Sequence, residues 1–314
     1  MELHTPVVFL VFNRPDLTKI VFEAIRKAKP YKLLVVADGP RAGVAGEAEK
    51  CQAVRDIIDT VDWDCEVIKN YADTNLGCRA RVSSGITWAF DQVEEAIILE
   101  DDCLPDPSFF PFCEQLLKHY RHDERVMVIS GNNFQENCQT KSSYYFSKYP
   151  HIWGWATWRR AWKHYDVDMK DWQRNKLEII HATCGDPYEK KYWLDKFERT
   201  YSGSINTWDY QWTYACWSQG GLSIVPSVNL VSNIGFRSDA THTVSENQFA
   251  NLPVSRIWEI QHPELIIRNI FADEYLFNNY FGGNYLRYLD RPQVKIKRKL
   301  RYYLSQIVYK LKFG

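Results

Sequence analysis

The sequence has no net charge and lacks most of the short motifs that mark nucleotide- and metal-binding proteins. Its 39 Lys and Arg residues balance 39 Asp and Glu residues, so there is no overall electrostatic attraction to nucleic acid. No stretch approaches the roughly 20 apolar residues of a membrane-spanning helix. The eight cysteines form no CxxC pair and no Cys/His spacing typical of zinc sites. We therefore expect no nucleic-acid partner, and a cytoplasmic protein with reduced thiols.

Two common phosphate-binding motifs are also missing. There is no GxGxxG after the first hydrophobic run and no GxxxxGK[ST] anywhere, which argues against a dinucleotide dehydrogenase and a P-loop NTPase. Aromatic residues, by contrast, are abundant, with 12 Trp and 19 Tyr. Such rings either form a core or pack on the C–H faces of sugars, and composition alone favours the core.

The first half of the chain alternates short β-branched runs with amphipathic stretches. Strands are predicted at about 6–12, 32–37, 65–68, 95–99 and 125–130, each followed by a helix. Asp16 is predicted to cap the first of these helices. The alternation predicts an α/β fold of the Rossmann-like type, with a mostly parallel central sheet flanked by helices.

We divide the chain into three parts. Residues 1–135 form the predicted nucleotide-sugar-binding half, and residues 136–290 form the acceptor-side half of the same domain, where the regular alternation breaks. Residues 291–314 form a basic amphipathic C-terminal helix. The length of 314 residues suits one large domain or two tightly joined ones.

Polar residues follow the predicted strands near the point where each strand ends. They are Asn13-Arg14, Asp38-Gly39, Asn75 to Arg79, and the run Glu100, Asp101 and Asp102, which we call the acid cluster. In open sheets of this kind ligands bind beyond the carboxyl ends of the strands, which predicts a nucleotide site. Without a Gly-rich loop, a divalent cation on carboxylates is the simplest way to hold a diphosphate. The alternative is a solvated turn with helix-capping acids.

The segment from Ala96 to Phe110, AIILEDDCLPDPSFF, resembles the metal-binding strand of GT-A glycosyltransferases. It is similar to that of N-acetylglucosaminyltransferase I and of bacterial cell-surface polysaccharide transferases, and the resemblance covers roughly residues 6–245. It implies that Asp102 is the direct ligand of Mn²⁺ or Mg²⁺. It also implies that Asp101 contacts the ribose or metal-bound water, and that Glu100 contacts the transferred sugar.

The same resemblance implies donor contacts outside the acid cluster. Asn13 and Arg14 match the place where the first strand of the family meets the nucleotide, Asp38 matches the acid that reads the base, and Arg79 matches a basic or polar donor contact. For Arg14, Asp38 and Arg79 the alternative is a surface ion pair or a turn residue. Arg81 is predicted to be structural.

A catalytic base is predicted at Asp209. Inverting transfer needs a carboxylate to take the proton of the acceptor hydroxyl, and an acid between aromatic residues lies in a low-dielectric setting suited to that task. The family places its base in a Trp-Asp pair, which Trp208 and Asp209 match, although Tyr210 stands where a second acid is expected. His242 is predicted to contact the metal or the diphosphate, with a surface-loop histidine as the alternative.

The segment from Gly154 to Trp162 resembles the Gly-Trp segment of the same family, whose aromatic residues shape the acceptor side. Trp155, Trp158 and Trp162 lie at helical spacing, however, and Trp153 precedes them. We expect at least two of these four to be core residues.

The C-terminal tail carries basic residues and no acid. Between Lys295 and Lys312 apolar residues recur at i, i+3 and i+4 spacing, which predicts an amphipathic helix. Such a helix can lie on an anionic membrane surface, where each Lys or Arg contributes about 1 kcal/mol. This would place the protein at the inner face of the cell membrane. The alternatives are a helix docked on the domain and a homodimer interface.

The leading hypothesis is a metal-dependent, inverting glycosyltransferase. It would move a sugar from a nucleotide diphosphate donor, a UDP-sugar by family frequency, to a saccharide or lipid-linked acceptor in cell-surface polysaccharide synthesis. The alternatives are a nucleotidyltransferase acting on sugar phosphates and a non-catalytic sugar-binding protein on the same scaffold.

Overall fold

The computed structural model describes residues 2–135, 140–236, 249–257 and 259–313, with side chains as far as residue 302. The strands are β1 (Val7–Val11), β2 (Lys32–Ala37), β3 (Glu66–Tyr71), β4 (Glu95–Glu100), β5 (Cys103–Pro105), β6 (Val126–Ser130), β7 (Tyr144–Ser147), β8 (Trp155–Trp158), β9 (Leu222–Pro226) and β10 (Val231–Asn233). The helices are α1 (Pro15–Ala28), α2 (Glu47–Ile58), α3 (Gly77–Gln92), α4 (Phe109–His119), α5 (Arg159–Trp162), α6 (Trp172–Thr183), α7 (Pro187–Tyr201), α8 (Asp209–Ser218), α9 (Ile270–Asn279), α10 (Gly283–Asp290) and α11 (Pro292–Phe313).

Eight of the strands form one sheet in the order β3-β2-β1-β4-β8-β6-β9-β7. Strand β1 pairs in parallel with β2 and β4, and β2 pairs in parallel with β3. Strand β8 runs antiparallel between β4 and β6, β9 is parallel to β6, and β7 is an antiparallel edge strand. The mostly parallel α/β sheet predicted from the sequence is therefore confirmed. Because β8 lies between β4 and β6, the sheet draws strands from both sides of residue 135.

The central strands are buried on both faces, which explains their unbroken apolar sequences. Val7 and Phe9 of β1 face the cluster that contains α1, α2 and α4, whereas Val8 and Leu10 face the cluster that contains α3 and α5 to α8. Successive side chains of a strand point to opposite faces, so one strand serves both layers. The result is a three-layer arrangement with the sheet in the middle.

The five strands predicted in the first half are present with ends shifted by a few residues, and so are the helices predicted after the first four. The helix expected after the fifth strand was wrong, because the next described element after β6 is strand β7. Strand β5 was not predicted; it has three residues and pairs antiparallel with β10 in a small second sheet. The predicted cap of the first helix was wrong, because Arg14 occupies the cap position and Pro15 begins the helix. Asp16 instead lies in the first turn, where a negative charge suits the helix dipole.

The helical spacing of the tryptophans was misleading. Trp155 and Trp158 both lie in strand β8, and only Trp162 lies in the short helix α5. All three are at most 4% exposed, so the prediction that at least two of these tryptophans are core residues is confirmed. Gly154, which precedes β8, has a φ of +65°, and a Cβ there would lie 2.8 Å from Val231. Glycine is needed at this position for both conformation and space.

The tail forms helix α11, as predicted. Ile296 and Leu300 are 58% and 56% exposed, so the described part of its apolar face is not docked on the rest of the protein. Its membrane or subunit contacts stay predictions. Among the described residues no helix is both long and apolar enough to cross a membrane. The seven cysteines in the described ranges are all free thiols.

Candidate functional site

The carboxyl ends of β1, β2 and β4 meet at one edge of the sheet, because these strands are neighbours and parallel. Asn13 and Arg14 follow β1, Asp38 follows β2, and the acid cluster begins at the last residue of β4. The sequence predicted this convergence, and the parallel pairing accounts for it.

Arg14 lies against the acid cluster. Its guanidinium hydrogen-bonds to an oxygen of Asp101 and lies 3.0 Å from Oδ2 of Asp102. The side chain of Asp101 is 4% exposed and its other oxygen, Oδ2, has no hydrogen-bond partner among the described residues. The backbone carbonyl of Asp102 accepts a hydrogen bond from the amide of Ile234 at 2.9 Å, which ties the cluster to the chain after β10.

The acid cluster carries more negative charge than Arg14 balances. Burial, followed by the charges of Asp102 and Asp101, raises the pKa of Glu100 to about 8, although part of its side chain is accessible at the surface. Burial outweighs the attraction of Arg14 and raises the pKa of Asp101 to about 6. Burial alone would lower the pKa of Arg14, but Asp101 and Asp102 hold it well above its usual range. Crowded carboxylates with raised pKa values are typical of functional sites.

The described residues fit a cation site of a limited kind. No group of three or more His, Cys, Asp or Glu side chains is arranged to hold a metal within the described ranges. Mg²⁺ and Mn²⁺ in phosphate-transfer sites are commonly held by one or two carboxylates, with substrate phosphates as further ligands. The unpartnered Asp101 Oδ2 and the raised pKa of Glu100 fit that kind of site. A cation there would lie on Asp102 and Asp101 and would neutralise a diphosphate.

His242, the second predicted metal contact, lies outside the described residues. The chain that leads to it passes close to the acid cluster, since a Cβ on Gly235 would lie 2.2 Å from Oδ2 of Asp102. The amide of Gly235 donates to Oδ1 of Asn233 at 2.9 Å, which fixes this close approach. Glycine at position 235 therefore leaves room for the Asp102 carboxylate.

The carboxylate of Asp38 forms hydrogen bonds within the protein. It is 5% exposed, and its Oδ1 accepts hydrogen bonds from the amides of Gly39 and Leu76 at 2.9 Å. Its Oδ2 accepts from Asn75 Nδ2 at 3.0 Å and from the amide of Gly77 at 3.1 Å. Asp38 thus connects the end of β2 to the start of α3, a role that the sequence did not predict. Its contact with a base stays a prediction.

Asn13 and Arg79 also have partners within the protein. Asn13 donates to Glu47 at 2.8 Å, and Arg79 donates to the carbonyl of Val167 at 2.6 Å. Their predicted donor contacts stay predictions. Arg81 is 6% exposed and donates to the carbonyl of Ala37 at 3.1 Å, which confirms its structural role.

Asp209 is the first residue of α8 and lies close to the sheet edge. Its negative charge contributes to the raised pKa values of Glu100 and of Cys78 at the start of α3. It accepts a hydrogen bond from the hydroxyl of Thr207 and is partly buried. The fold therefore brings Asp209 near the acid cluster, although more than one hundred residues separate them in the sequence.

Asp209 also lines a second feature, a cavity of about 350 Å³ that we call the aromatic cavity. Its other lining residues are Asn132, Phe134, Tyr149, Pro150, His151, Ile152, Trp153, Tyr192, Trp193, Tyr210, Thr213, Phe249, Tyr280 and Phe281. A volume of this size, lined by aromatic rings and several polar groups, is typical of small-ligand sites. Asp209 thus lines the aromatic cavity, and its charge also acts on Glu100 of the acid cluster.

Asn132 and His151 of this cavity were not predicted from the sequence. A signal for Asn132 was present, because it follows the predicted strand at 125–130 just as Asp38 follows its strand. His151 had no such signal. It follows β7, whose place at the sheet edge only the fold defines.

A larger cavity of about 1030 Å³ lies between α1, α4 and the chain around Arg256. None of the predicted site residues lines it, and its walls are mainly apolar. We therefore take the sheet edge, where the crowded carboxylates lie, as the candidate functional site.

The sequence matches no protein-family model, and it matches no curated protein. Solved structures that resemble the fold include a cytidylyltransferase from Leptospira borgpetersenii, with 12% identity, a TM-score of 0.31, and coverage of 63% of this chain and 74% of the other. A 4-diphosphocytidyl-2C-methyl-D-erythritol synthase from Anaerococcus prevotii has 8% identity, a TM-score of 0.31, and coverage of 62% and 84%. A UDP-glucose pyrophosphorylase complexed with UDP-glucose has 9% identity, a TM-score of 0.29, and coverage of 52% and 79%. Likeness this loose carries no argument about activity.

Proposed function

We propose that this protein is a glycosyltransferase that moves a sugar from a nucleotide diphosphate donor to a saccharide acceptor. The observation that carries the proposal is the position of Asp209, which lines the aromatic cavity and lies near Glu100 of the acid cluster. The acidic edge would hold the diphosphate of the donor, and the ring-lined cavity would hold the acceptor. A carboxylate that acts on both regions is well placed for transfer between the two substrates.

On the donor side, Arg14 would hold Asp101 and Asp102 in place and offset part of their charge. Mn²⁺ or Mg²⁺ on Asp102, and on Asp101, would stabilise the charge of the leaving diphosphate. Asn13, Asp38 and Arg79 border the same edge and are proposed to contact the donor, with Asp38 acting through the turn that it holds. A uridine nucleotide is our first choice of donor.

On the acceptor side, Asp209 would accept the proton of the attacking hydroxyl. Its carboxylate is held by Thr207 and is partly shielded from solvent, so its position is fixed before the acceptor arrives. The hydroxyl would then attack the anomeric carbon on the side opposite the diphosphate, which inverts its configuration.

A product assay separates this proposal from the nucleotidyltransferase alternative. The protein with Mn²⁺ is incubated with a panel of nucleotide sugars and neutral glycosides, and separately with nucleoside triphosphates and sugar 1-phosphates. A glycosyltransferase releases a nucleoside diphosphate in the first set, whereas a nucleotidyltransferase releases pyrophosphate in the second. Pyrophosphate release alone would reject our proposal, and so would full transfer activity in Asp102→Ala.

A further inference from the structure

Asn132 stands out among the polar groups of the aromatic cavity. It is fully buried, and neither its amide nitrogen nor its amide oxygen has a hydrogen-bond partner among the described residues. The next residue, Asn133, donates to the carbonyl of Pro226 at 2.8 Å and accepts from the amide of Gln135 at 2.9 Å. A buried, unpaired amide costs roughly 1–3 kcal/mol, so a ligand that pairs with Asn132 removes that cost.

Trp193 and His151 are further polar residues of the same cavity. The indole N–H of Trp193 is buried and has no partner in the described part of the chain. His151 is 6% exposed, and burial lowers its pKa to about 3, so its imidazole is uncharged at neutral pH and offers one donor and one acceptor. Together these groups present donors and acceptors without a positive charge.

The charge of the cavity excludes anions. The described residues that line it include no Lys or Arg, and they include the carboxylate of Asp209. Lys148, a nearby buried cation, forms an ion pair with Glu189 at 2.5 Å and lies over the ring of Tyr149. A phosphate or carboxylate in the cavity would therefore meet a like charge with no counter-charge to offset its burial.

The walls of the cavity are rings. Phe134 stacks on Tyr280 with 4.1 Å between ring centroids, and Trp153 meets Phe134 edge-on at 5.0 Å. Phe249 packs against both members of the stacked pair. Aromatic rings together with several hydrogen-bonding groups match the two kinds of surface that a sugar ring presents, its C–H faces and its hydroxyl edge.

We propose that the aromatic cavity binds an uncharged, hydroxyl-rich sugar ring of the acceptor, and that the amide of Asn132 forms hydrogen bonds with two of its hydroxyls. The acceptor role rests on the proposed glycosyltransferase function, whereas the binding of a neutral sugar does not. A phosphate belonging to a lipid-linked acceptor lies outside this cavity.

Binding is measured first, without donor. The intrinsic fluorescence of the protein, to which Trp153 and Trp193 of the cavity contribute, is followed during titration with methyl glycosides of glucose, galactose, mannose and N-acetylglucosamine. Glucose 6-phosphate, galactose 6-phosphate and methyl glucuronide serve as anionic probes. We expect saturable binding of at least one neutral glycoside and weaker or no binding of the anions.

Two variants then test Asn132. Asn132→Ala removes both hydrogen-bonding groups, and Asn132→Asp keeps the shape but removes the amide donors. Each should weaken binding of the neutral glycoside about tenfold, which corresponds to one or two hydrogen bonds. Asn284→Ala, at an exposed position on α10, is the control and should bind like the parent protein. In a transfer assay, the Asn132 variants should raise the KM for the acceptor and leave the KM for the donor and donor hydrolysis unchanged.

The outcomes separate the two proposals. Binding of neutral glycosides that depends on Asn132, without transfer from any nucleotide sugar, would keep the sugar site and reject the transferase. Transfer with a preference for phosphorylated acceptors, or with unchanged acceptor KM in both Asn132 variants, would keep the transferase and reject the site. The absence of binding for every neutral probe would also reject the site.

Discussion

In the acid cluster, carboxylates crowd together and pair with Arg14, whereas in the aromatic cavity, which Asp209 lines, the amide of Asn132 has no partner in the described chain. Burying an unpaired charge costs far more free energy than burying an unpaired amide, because an ion loses much more solvation. The carboxylates of the acid cluster therefore pair with Arg14 of the protein itself, whereas the amide of Asn132 in the aromatic cavity can pair with a ligand. Four predictions test this contrast.

The largest effect is expected for Asp209→Asn. The variant keeps the shape of the side chain and the hydrogen bond from Thr207 but cannot accept the acceptor proton, so transfer should fall about 10²–10⁴-fold. Nucleoside diphosphate release is measured with and without acceptor, and donor hydrolysis without acceptor should be retained. Asp195→Asn, an exposed acid on α7, is the control. Intact transfer in Asp209→Asn would remove the base assignment and leave the two regions without a common residue.

Arg14→Met should cause the largest loss of folding stability, about 3–5 kcal/mol, because it leaves Asp101 and Asp102 buried without their partner. Thermal unfolding with EDTA measures the loss, and added Mn²⁺ should recover part of it. Arg26→Met removes an exposed ion pair with Asp62 from α1, the helix that Arg14 caps, and should lower stability much less. Equal losses in the two variants would contradict a central role for Arg14.

Asn133→Ala and Asn132→Ala should differ although the residues are neighbours. The side chain of Asn133 forms hydrogen bonds with two groups, the carbonyl of Pro226 and the amide of Gln135, so its replacement should cost about 1–3 kcal/mol. The side chain of Asn132 has no such bonds among the described residues, so its replacement should cost less than that of Asn133. Chemical unfolding of both variants makes the comparison. A large loss for Asn132→Ala would show that it supports the fold rather than a ligand.

The smallest effect is a dependence of stability on pH in metal-free protein. The folded protein holds the Glu100 proton up to a pKa of about 8 and the Asp101 proton up to about 6, whereas the unfolded chain releases both near their ordinary values of 4.5 and 3.8. Folding therefore binds protons across this window, and the free energy of unfolding falls as the pH rises. The Tm should decrease by a few degrees between pH 5 and pH 8, and Glu100→Gln should flatten the slope. An unchanged slope in that variant would assign the effect elsewhere.

The gathering of polar residues at the carboxyl ends of β1, β2 and β4 was predictable, because it depends on local apolar runs and on the parallel pairing of neighbouring strands. Runs such as the one at β1 are apolar throughout, which marks strands buried on both faces, and parallel neighbours must end at one edge. The positions of Arg14 and the acid cluster follow from that. The role of Asp38 was not predictable, since its hydrogen bonds to Leu76 and Gly77 depend on where α3 begins in space.

The second half was harder to predict, because its strands are inserted out of chain order. Strand β8 lies between β4 and β6, so Trp155 and Trp158 are strand residues despite a spacing that suits a helix. The spacing of apolar residues alone cannot distinguish a strand from a helix in so short a segment.

By itself the sequence determined the alternating strands and helices, the burial of the central sheet and the gathering of carboxylates after β4, since each depends on residues close together in the chain. Only the tertiary structure decided that Arg14 pairs with those carboxylates and that Asp209 lines a ring-lined cavity. It also decided that Asn132 lines that cavity with an amide that has no partner among the described residues. These are contacts between segments far apart in the chain, and no local pattern encodes which of them meet.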